Sequence, residues 1–349
     1  MIFNYNKIKK NNSPYIIAEI GVNHECSIKK AKNLILLAKK GGAHAAKFQT
    51  YKAVTLAKLN SQAYWDTTKE KTKSQFELFS KFDRFNEKDY RILAKFCKKN
   101  KIDFLSTPFD LDSVKILNPL VPAFKISSSD ITNFPLLDKI AKTKKPTLLS
   151  TGASTLEEIK NAVNILKKGS NKITVMHCIL NYPTHDVDAN LAMISSLKKE
   201  YPEYVIGYSD HTLPKNQMFN LTTAYILGAK VIEKHFTSNK KTKGNDHYHS
   251  MDKNDLKLLV NNLNRAKKIV GNFKKKTFLK SEFNSRKYAR RSIVIKNNLK
   301  KGKIIKENDL ITLRPSAGIS ANQWNKVIGK KTRKNLKANK SLSWKDLYI

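Results

Sequence analysis

Eight short apolar runs recur along this 349-residue chain, and each stops at polar residues. Run 15–18 ends at Glu19, run 43–46 leads into Lys47-Phe48-Gln49, and run 102–105 ends at Ser106-Thr107. Run 123–126, interrupted by Lys125, meets Ser127 to Asp130, and run 147–149 meets Ser150-Thr151-Gly152. The last three, 173–176, 205–208 and 229–234, stop at His177-Cys178, Ser209-Asp210-His211 and His235-Phe236-Thr237. Helical periodicity fills the intervals at 28–40, 87–99, 135–142, 156–167, 189–199, 215–227 and 252–270. The stretch 111–117 is too short to assign from pattern alone. Short β-runs alternating with helices predict a parallel sheet, and eight closes a TIM barrel. An open doubly wound sheet is the alternative.

Polar residues at strand ends have a place to go in that fold. Active sites of the barrel form at the C-terminal ends of its strands, so all eight clusters converge on one mouth. Stretch 204–237 is one βαβ unit whose two strands are expected as parallel neighbours. His211 and His235 then end adjacent strands, where two imidazoles can share a divalent metal; the other reading is a pair of polar strand caps. The long connection 50–86 holds Tyr64, Trp65, Phe76, Phe79 and Phe82 and is expected as an inserted helical loop beside the mouth.

The barrel is expected over 1–270, a lysine-rich linker over 271–286 and a small β-rich domain over 287–349. That tail repeats itself: NLKKGKIIKENDL (298–310) is echoed by NLKANKSLSWKDL (335–347), with Gly302 answered by Asn339. Both types tolerate positive φ, so two similar turn-and-strand units with pseudo-two-fold symmetry are expected.

The net charge is +39, but the lysines are spread along the chain, without a basic arm or a basic block interleaved with aromatics. This favours a solvated surface over a nucleic-acid role, and the positive field would help to draw in an anionic substrate. No apolar run approaches the roughly 20 residues of a membrane-spanning helix. The first residues lack the apolar core of a signal peptide. Cys26, Cys97 and Cys178 have no metal-type spacing and leave an odd count, which fits a reducing, cytoplasmic compartment.

Eight motifs occur in order: AEIGVNHE (18–25), KFQT (47–50), STPFD (106–110), KISSSD (125–130), LSTG (149–152), NYPT (181–184), GYSDHT (207–212) and EKHFT (233–237). Together they resemble the bacterial sialic acid synthases, which join phosphoenolpyruvate to N-acetylmannosamine or a related amino sugar. The tail, with ARRSIV and LRPSAGIS, resembles the antifreeze-protein-like (SAF) domain of those enzymes. The resemblance covers nearly the whole chain. It implies phosphoenolpyruvate contacts at Lys47, Thr107, Lys125, Ser128, Ser150 and Ser209. Sugar contacts are implied at Glu19, Gln49, Tyr182, Asp246, Tyr288 and Arg314. His211 and His235 match ligands of a divalent metal, manganese first and magnesium second. Glu19 and Asp130 match carboxylates near the reacting carbons. The tail of one chain reaches over the barrel of its partner in those enzymes, which implies a domain-swapped homodimer.

Three positions depart from the pattern. Cys26 stands where glycine is usual, and Asp130 stands where Glu is usual. Leu180-Asn181 reverses a polar–apolar order, so Asn181 is expected to supply the anion-site amide from the next position. His247 and His249 add imidazoles near the mouth, as loop residues or as tuners of sugar choice. N-acetylneuraminate is the first expected product, then legionaminate, then pseudaminate. The competing readings are another phosphoenolpyruvate-dependent aldol condensation, which the SAF-like tail disfavours, and a basic polyanion-binding barrel without catalysis.

Overall fold

The computed structural model describes residues 3–348 apart from 66, 69, 245, 273 and 274, and apart from the side chain of 216. The chain divides into two compact units, Met1–Gly271 and Asn272–Ile349.

Among the described residues the first unit holds eight strands: β1 (Tyr15–Gly21), β2 (Ala45–Thr50), β3 (Asp103–Pro108), β4 (Phe124–Ile126), β5 (Thr147–Ser150), β6 (Ile173–Cys178), β7 (Val205–Asp210) and β8 (Val231–His235). Their order is β3-β2-β1-β8-β7-β6-β5-β4, and every hydrogen-bonded pair is parallel. The end strands β3 and β4 lie beside each other, so the sheet nearly closes as a TIM barrel. Side chains alternate across a strand with period two. One set, with Ile17, Ala45, Leu105, Ala123, Leu148, Met176, Val205 and Val231, fills the barrel interior. The other set, with Ile16, Phe104, Ile206 and Ile232, packs outward against the helices.

The same alternation carries the polar tops inward. Two residues above that apolar layer come Glu19, Lys47, Thr107, Lys125, Ser150 and Glu233, all buried. They lie inside the strands rather than beyond them, because each strand runs further than its apolar stretch. The N-terminal helix Tyr5–Lys10, unread in the sequence, seals the opposite end. Its Tyr5 hydroxyl donates to Ile173 O (2.7 Å) and accepts from Val205 N–H (3.2 Å), at the first residues of β6 and β7.

Several expectations are corrected. Residues 215–227 are not one helix: Gln217 (φ 56°) and Met218 (φ 59°) are left-handed, which a right-handed helix cannot continue. The α-helix there is Phe219–Leu227. Leu111–Leu117 is helical, capped by the Asp110 side chain on Ser113 N–H (2.7 Å). The expected linker 271–286 contains the 3-10 turn Lys280–Glu282 and the start of the helix Phe283–Ala289, while its Lys274 falls outside the described residues.

The second unit packs around Ile293, Ile295, Leu299, Leu310, Leu336 and Leu347. Strands β9 (Ser292–Ile295) and β10 (Leu310–Leu313) pair antiparallel. The repeat read in the sequence is a true pseudo-symmetry. Leu299 and Leu336 exchange both backbone hydrogen bonds at 2.8 Å. Asn335 Oδ1 accepts from Lys301 N–H and Asn298 Oδ1 from Ala338 N–H, each at 2.8 Å. Gly302 (φ 83°) and Asn339 (φ 63°) take the left-handed positions.

Candidate active site

Glu19, Lys47, Glu233 and Lys125 form a buried alternation of charge across the barrel mouth. Lys47 Nζ lies 2.5 Å from Glu19 Oε2 and 3.9 Å from Glu233 Oε2. Lys125 Nζ lies 3.4 Å from Glu233 Oε1. Strand register explains the grouping: Glu19 stands opposite Lys47 on one side and His235 on the other, and Ser209 stands opposite Glu233. A lysine in a low-dielectric interior needs a compensating charge, and each has one here.

Burial favours the neutral carboxyl at both glutamates. At Glu233 the ammoniums of Lys125 and Lys47 and the Ser209 hydroxyl overcome it and hold the group down to about 2. At Glu19 burial prevails, aided by the charge of Glu233, and the carboxyl is raised despite Lys47. Burial also lowers Lys125, against the pull of Glu233.

Hydroxyls complete the pocket. Lys47 Nζ donates to Thr107 Oγ1 (3.1 Å), Lys125 Nζ to Ser150 Oγ (2.7 Å), and Gly152 N–H to Ser128 Oγ (2.9 Å). A hydroxyl that accepts such a bond keeps its own proton to donate, so Thr107, Ser150 and Ser128 offer three O–H donors beside two ammoniums. Ser209 instead donates to Glu233 Oε1 (2.9 Å). This is the donor set of an anion pocket.

Outside it opens a cavity of about 390 Å³, lined by Gln49, Asp130, Tyr182, Asp246 and His249. The connection 50–86 carries helices Ala53–Leu56 and Gln75–Phe82, and its Tyr64, Trp65, Phe79 and Phe82 wall this cavity. Gln49 Nε2 reaches Glu19 Oε1 (3.2 Å) and links the two spaces. Asp130 ends the 3-10 turn Ser128–Asp130; its Oδ1 accepts from Asn133 (3.0 Å), and among the described residues its Oδ2 has no hydrogen-bond partner. Burial raises that carboxyl.

His211 and His235 come together as expected, with ring centres 5.4 Å apart. His211 Nδ1 is 2.7 Å from Ile179 O, an arrangement that makes Nδ1–H the donor and leaves Nε2 for a ligand. His235 Nδ1 lies 3.1 Å from Asp246 Oδ2, and no described residue meets it in hydrogen-bond geometry. A free imidazole nitrogen on each ring, beside a carboxylate, fits a divalent metal. The loop bearing His211 is fixed from behind. Lys234 Nζ donates to Asp210 Oδ2 (2.6 Å) and Thr212 O (2.5 Å), and Asp210 also accepts from Tyr208 Oη (2.8 Å).

Other residues fall elsewhere. Asn181 is exposed and lines neither cavity, so its side chain does not join the anion pocket as expected; Leu180 lines the wall instead. Tyr288 and Arg314 are exposed residues of the second unit. Cys26 occupies the left-handed region (φ 56°) that glycine favours. Sequence reasoning passed over Glu233 as a site residue, although its two-residue spacing from His235 already put both on one face of a strand.

A family model described as the NeuB family matches residues 34–275, and an SAF domain model matches 290–347. The chain is 41% identical over 328 residues to the N,N'-diacetyllegionaminic acid synthase of Campylobacter jejuni, covering 92% of this chain and 96% of that one. It is 37% identical over 341 residues to the synthase of the same name from Legionella pneumophila, covering 95% and 94%. Among solved structures, the N-acetylneuraminic acid (sialic acid) synthetase of Leptospira borgpetersenii superposes with a TM-score of 0.69 at 33% identity, covering 79% of this chain and 91% of that one.

Proposed function

The chain belongs to the NeuB family, and we propose that it condenses phosphoenolpyruvate with an N-acetylated amino sugar, giving a nine-carbon nonulosonic acid and phosphate. The observation that carries this reading is the buried Glu19–Lys47–Glu233–Lys125 alternation with its three hydroxyls. Phosphoenolpyruvate is a small polyanion, and Lys47, Lys125, Thr107, Ser128 and Ser150 hold its phosphate and carboxylate, with Ser209 fixing Glu233 beside them. Gln49, Tyr182 and Asp246, with Glu19 beneath them, take the open-chain sugar in the outer cavity. The two spaces meet at Gln49, which brings the methylene carbon toward the aldehyde. Carbon–carbon bond formation leaves a cationic centre that takes up water, and the tetrahedral adduct expels phosphate by carbon–oxygen cleavage. Asp130, through its unpaired Oδ2, orients that water and exchanges its proton. His211 and His235 would hold a divalent ion, manganese before magnesium because imidazole ligands disfavour the latter. Such an ion supplies Lewis acidity to the sugar carbonyl.

Two relatives named for N,N'-diacetyllegionaminic acid move legionaminate's six-carbon precursor ahead of N-acetylmannosamine as acceptor. Tyr288 and Arg314 of a second copy complete the sugar site in a domain-swapped homodimer. A reducing cytoplasm suits Cys26, Cys97 and Cys178, all free thiols.

The test is phosphate release from phosphoenolpyruvate with manganese and, in turn, N-acetylmannosamine and the precursors of legionaminate and pseudaminate. Turnover is expected with at least one, fastest with the legionaminate precursor. His211→Ala and His235→Ala should each abolish it without unfolding the chain. No release with any of the three, or near-native turnover of both variants after chelation and manganese add-back, overturns the reading.

A further inference from the structure

Asp246 opens the one-turn 3-10 helix His247–His249. Such a helix completes a turn every three residues, so positions three apart eclipse. Asp246 and His249 accordingly leave the loop on one side, with His249 Nε2 3.9 Å from Asp246 Oδ1. The other carboxylate oxygen faces His235, whose ring centre is 4.8 Å from that of His249. One donor atom from each of His235, Asp246 and His249 lies within 4.8 Å of the other two.

His249 is 1% exposed, and among the described residues neither ring nitrogen has a hydrogen-bond partner. A buried imidazole left unpaired at both nitrogens is costly unless something else uses a lone pair. His247 shows the contrast, since its Nδ1 lies 2.8 Å from Thr237 Oγ1 and ties the loop down. Further ties hold the loop in place. Met251 N–H donates to His235 O (2.8 Å), Thr237 N–H to Met251 O (2.9 Å), and Ser250 Oγ to Asp246 O (2.6 Å). Tyr248 Oη donates to Tyr182 O (3.0 Å), joining the loop to the far wall.

We propose that His249 is a metal ligand, and that the divalent ion assigned above to His211 and His235 is held in this chain by the wider set His211, His235, Asp246 and His249. The inference rests on the metal reading of the preceding section and extends it. Imidazoles and a carboxylate in one cluster suit manganese, iron, cobalt or zinc better than magnesium, which prefers an all-oxygen shell. The His249 side chain thus biases the site toward the nitrogen-loving ions before any substrate binds.

The experiment measures Mn²⁺ and Co²⁺ alone on the full chain, without substrates. Free Mn²⁺ is followed by electron paramagnetic resonance and bound Co²⁺ by visible absorption. His249→Phe keeps a buried ring and removes both nitrogens; circular dichroism and melting without metal check its fold. At least a tenfold loss of Mn²⁺ affinity and altered Co²⁺ bands are expected. His249→Cys should gain a thiolate-to-Co²⁺ charge-transfer band in the near ultraviolet, which appears only if position 249 touches the ion. Mn²⁺ affinity of His249→Phe within twofold of the unmodified chain, or no charge-transfer band in His249→Cys, overturns the proposal. If the acceptor KM rises instead, His249 binds the sugar. Weakened His211→Ala and His235→Ala beside an unaffected His249→Phe removes this inference and leaves the proposed function standing. An unaffected His211→Ala beside a weakened His249→Phe does the reverse to the histidine pair.

Discussion

Lys125 is a cation committed to Glu233, Ser150 and the Ile126 carbonyl, inside an apolar strand. Lys125→Met keeps the side-chain length and removes the charge. Phosphoenolpyruvate binding should weaken by roughly 2 kcal/mol, the scale of a charge-assisted contact in a sheltered site. Stability should fall as well, because Glu233 loses its nearer counter-charge, but by less than the about 3–5 kcal/mol of an unpaired buried charge, since Lys47 and Ser209 remain beside it. The double variant Lys125→Met/Glu233→Gln should recover the fold without recovering binding. Calorimetric titration and urea unfolding read the two effects separately. Equal binding by Lys125→Met and the unmodified chain would show that the ammonium does not meet the substrate. Cys26 offers a smaller test, since Cys26→Gly relieves a left-handed side-chain position and should stabilise the barrel by up to about 1 kcal/mol in the same unfolding experiment.

Elements of the tail are stitched by repeated acid–lysine contacts. Asp309 Oδ1 accepts from Lys303 Nζ and Asp346 Oδ1 from Lys340 Nζ, each at 2.9 Å. Each carboxylate also caps its own 3-10 turn, at Lys306 N–H (2.9 Å) and Ser343 N–H (3.1 Å). Burial raises the Asp346 carboxyl, but Lys334, Lys340 and the Ser343 amide lower it further, from 3.8 to about 2. A depressed carboxylate adds stability that is complete above its unfolded value and is lost as pH falls through its folded one. The tail should therefore lose stability between about pH 4 and pH 2. Asp346→Asn should flatten that acid limb and cost about 1 kcal/mol at pH 7, the exposed lysine ends keeping the figure small. Fluorescence of Trp324 and Trp344 reports on this unit, and an unchanged acid limb in Asp346→Asn would refute the assignment.

At the scale of the whole molecule, the barrel holds the charged cluster and the His211–His235 pair, while Tyr288 and Arg314 belong to the other unit. A swapped homodimer predicts complementation between chains. When His211→Ala and Arg314→Ala chains are mixed under conditions of subunit exchange, one of the two sites in each heterodimer pairs an intact barrel with an intact arginine. Activity should reappear to a fraction of the unmodified level. Confirmed heterodimers without recovered turnover would place each tail over its own barrel.

Local pattern determined most of the architecture. Period-two alternation and helical periodicity are properties of neighbouring residues, so eight strands, most of the helices and the polar mouth were legible from the sequence. The histidine pair was legible too, because a βαβ unit fixes its two strand ends by chain connectivity alone. The tail repeat was legible in the matching residues of 298–310 and 335–347, with Gly302 and Asn339 marking its turns. Tertiary structure alone decided which polar residues share charge. Glu233 meets Lys125 across the barrel interior, and Asp210 meets Lys234 behind the His211 loop, through strand register that no local spacing encodes. It separated His247 from His249, placed Asn181 outside the pocket and seated the N-terminal helix on the barrel floor. Each of these depends on elements distant in sequence meeting at a definite height and angle, and that is set by packing of the closed sheet.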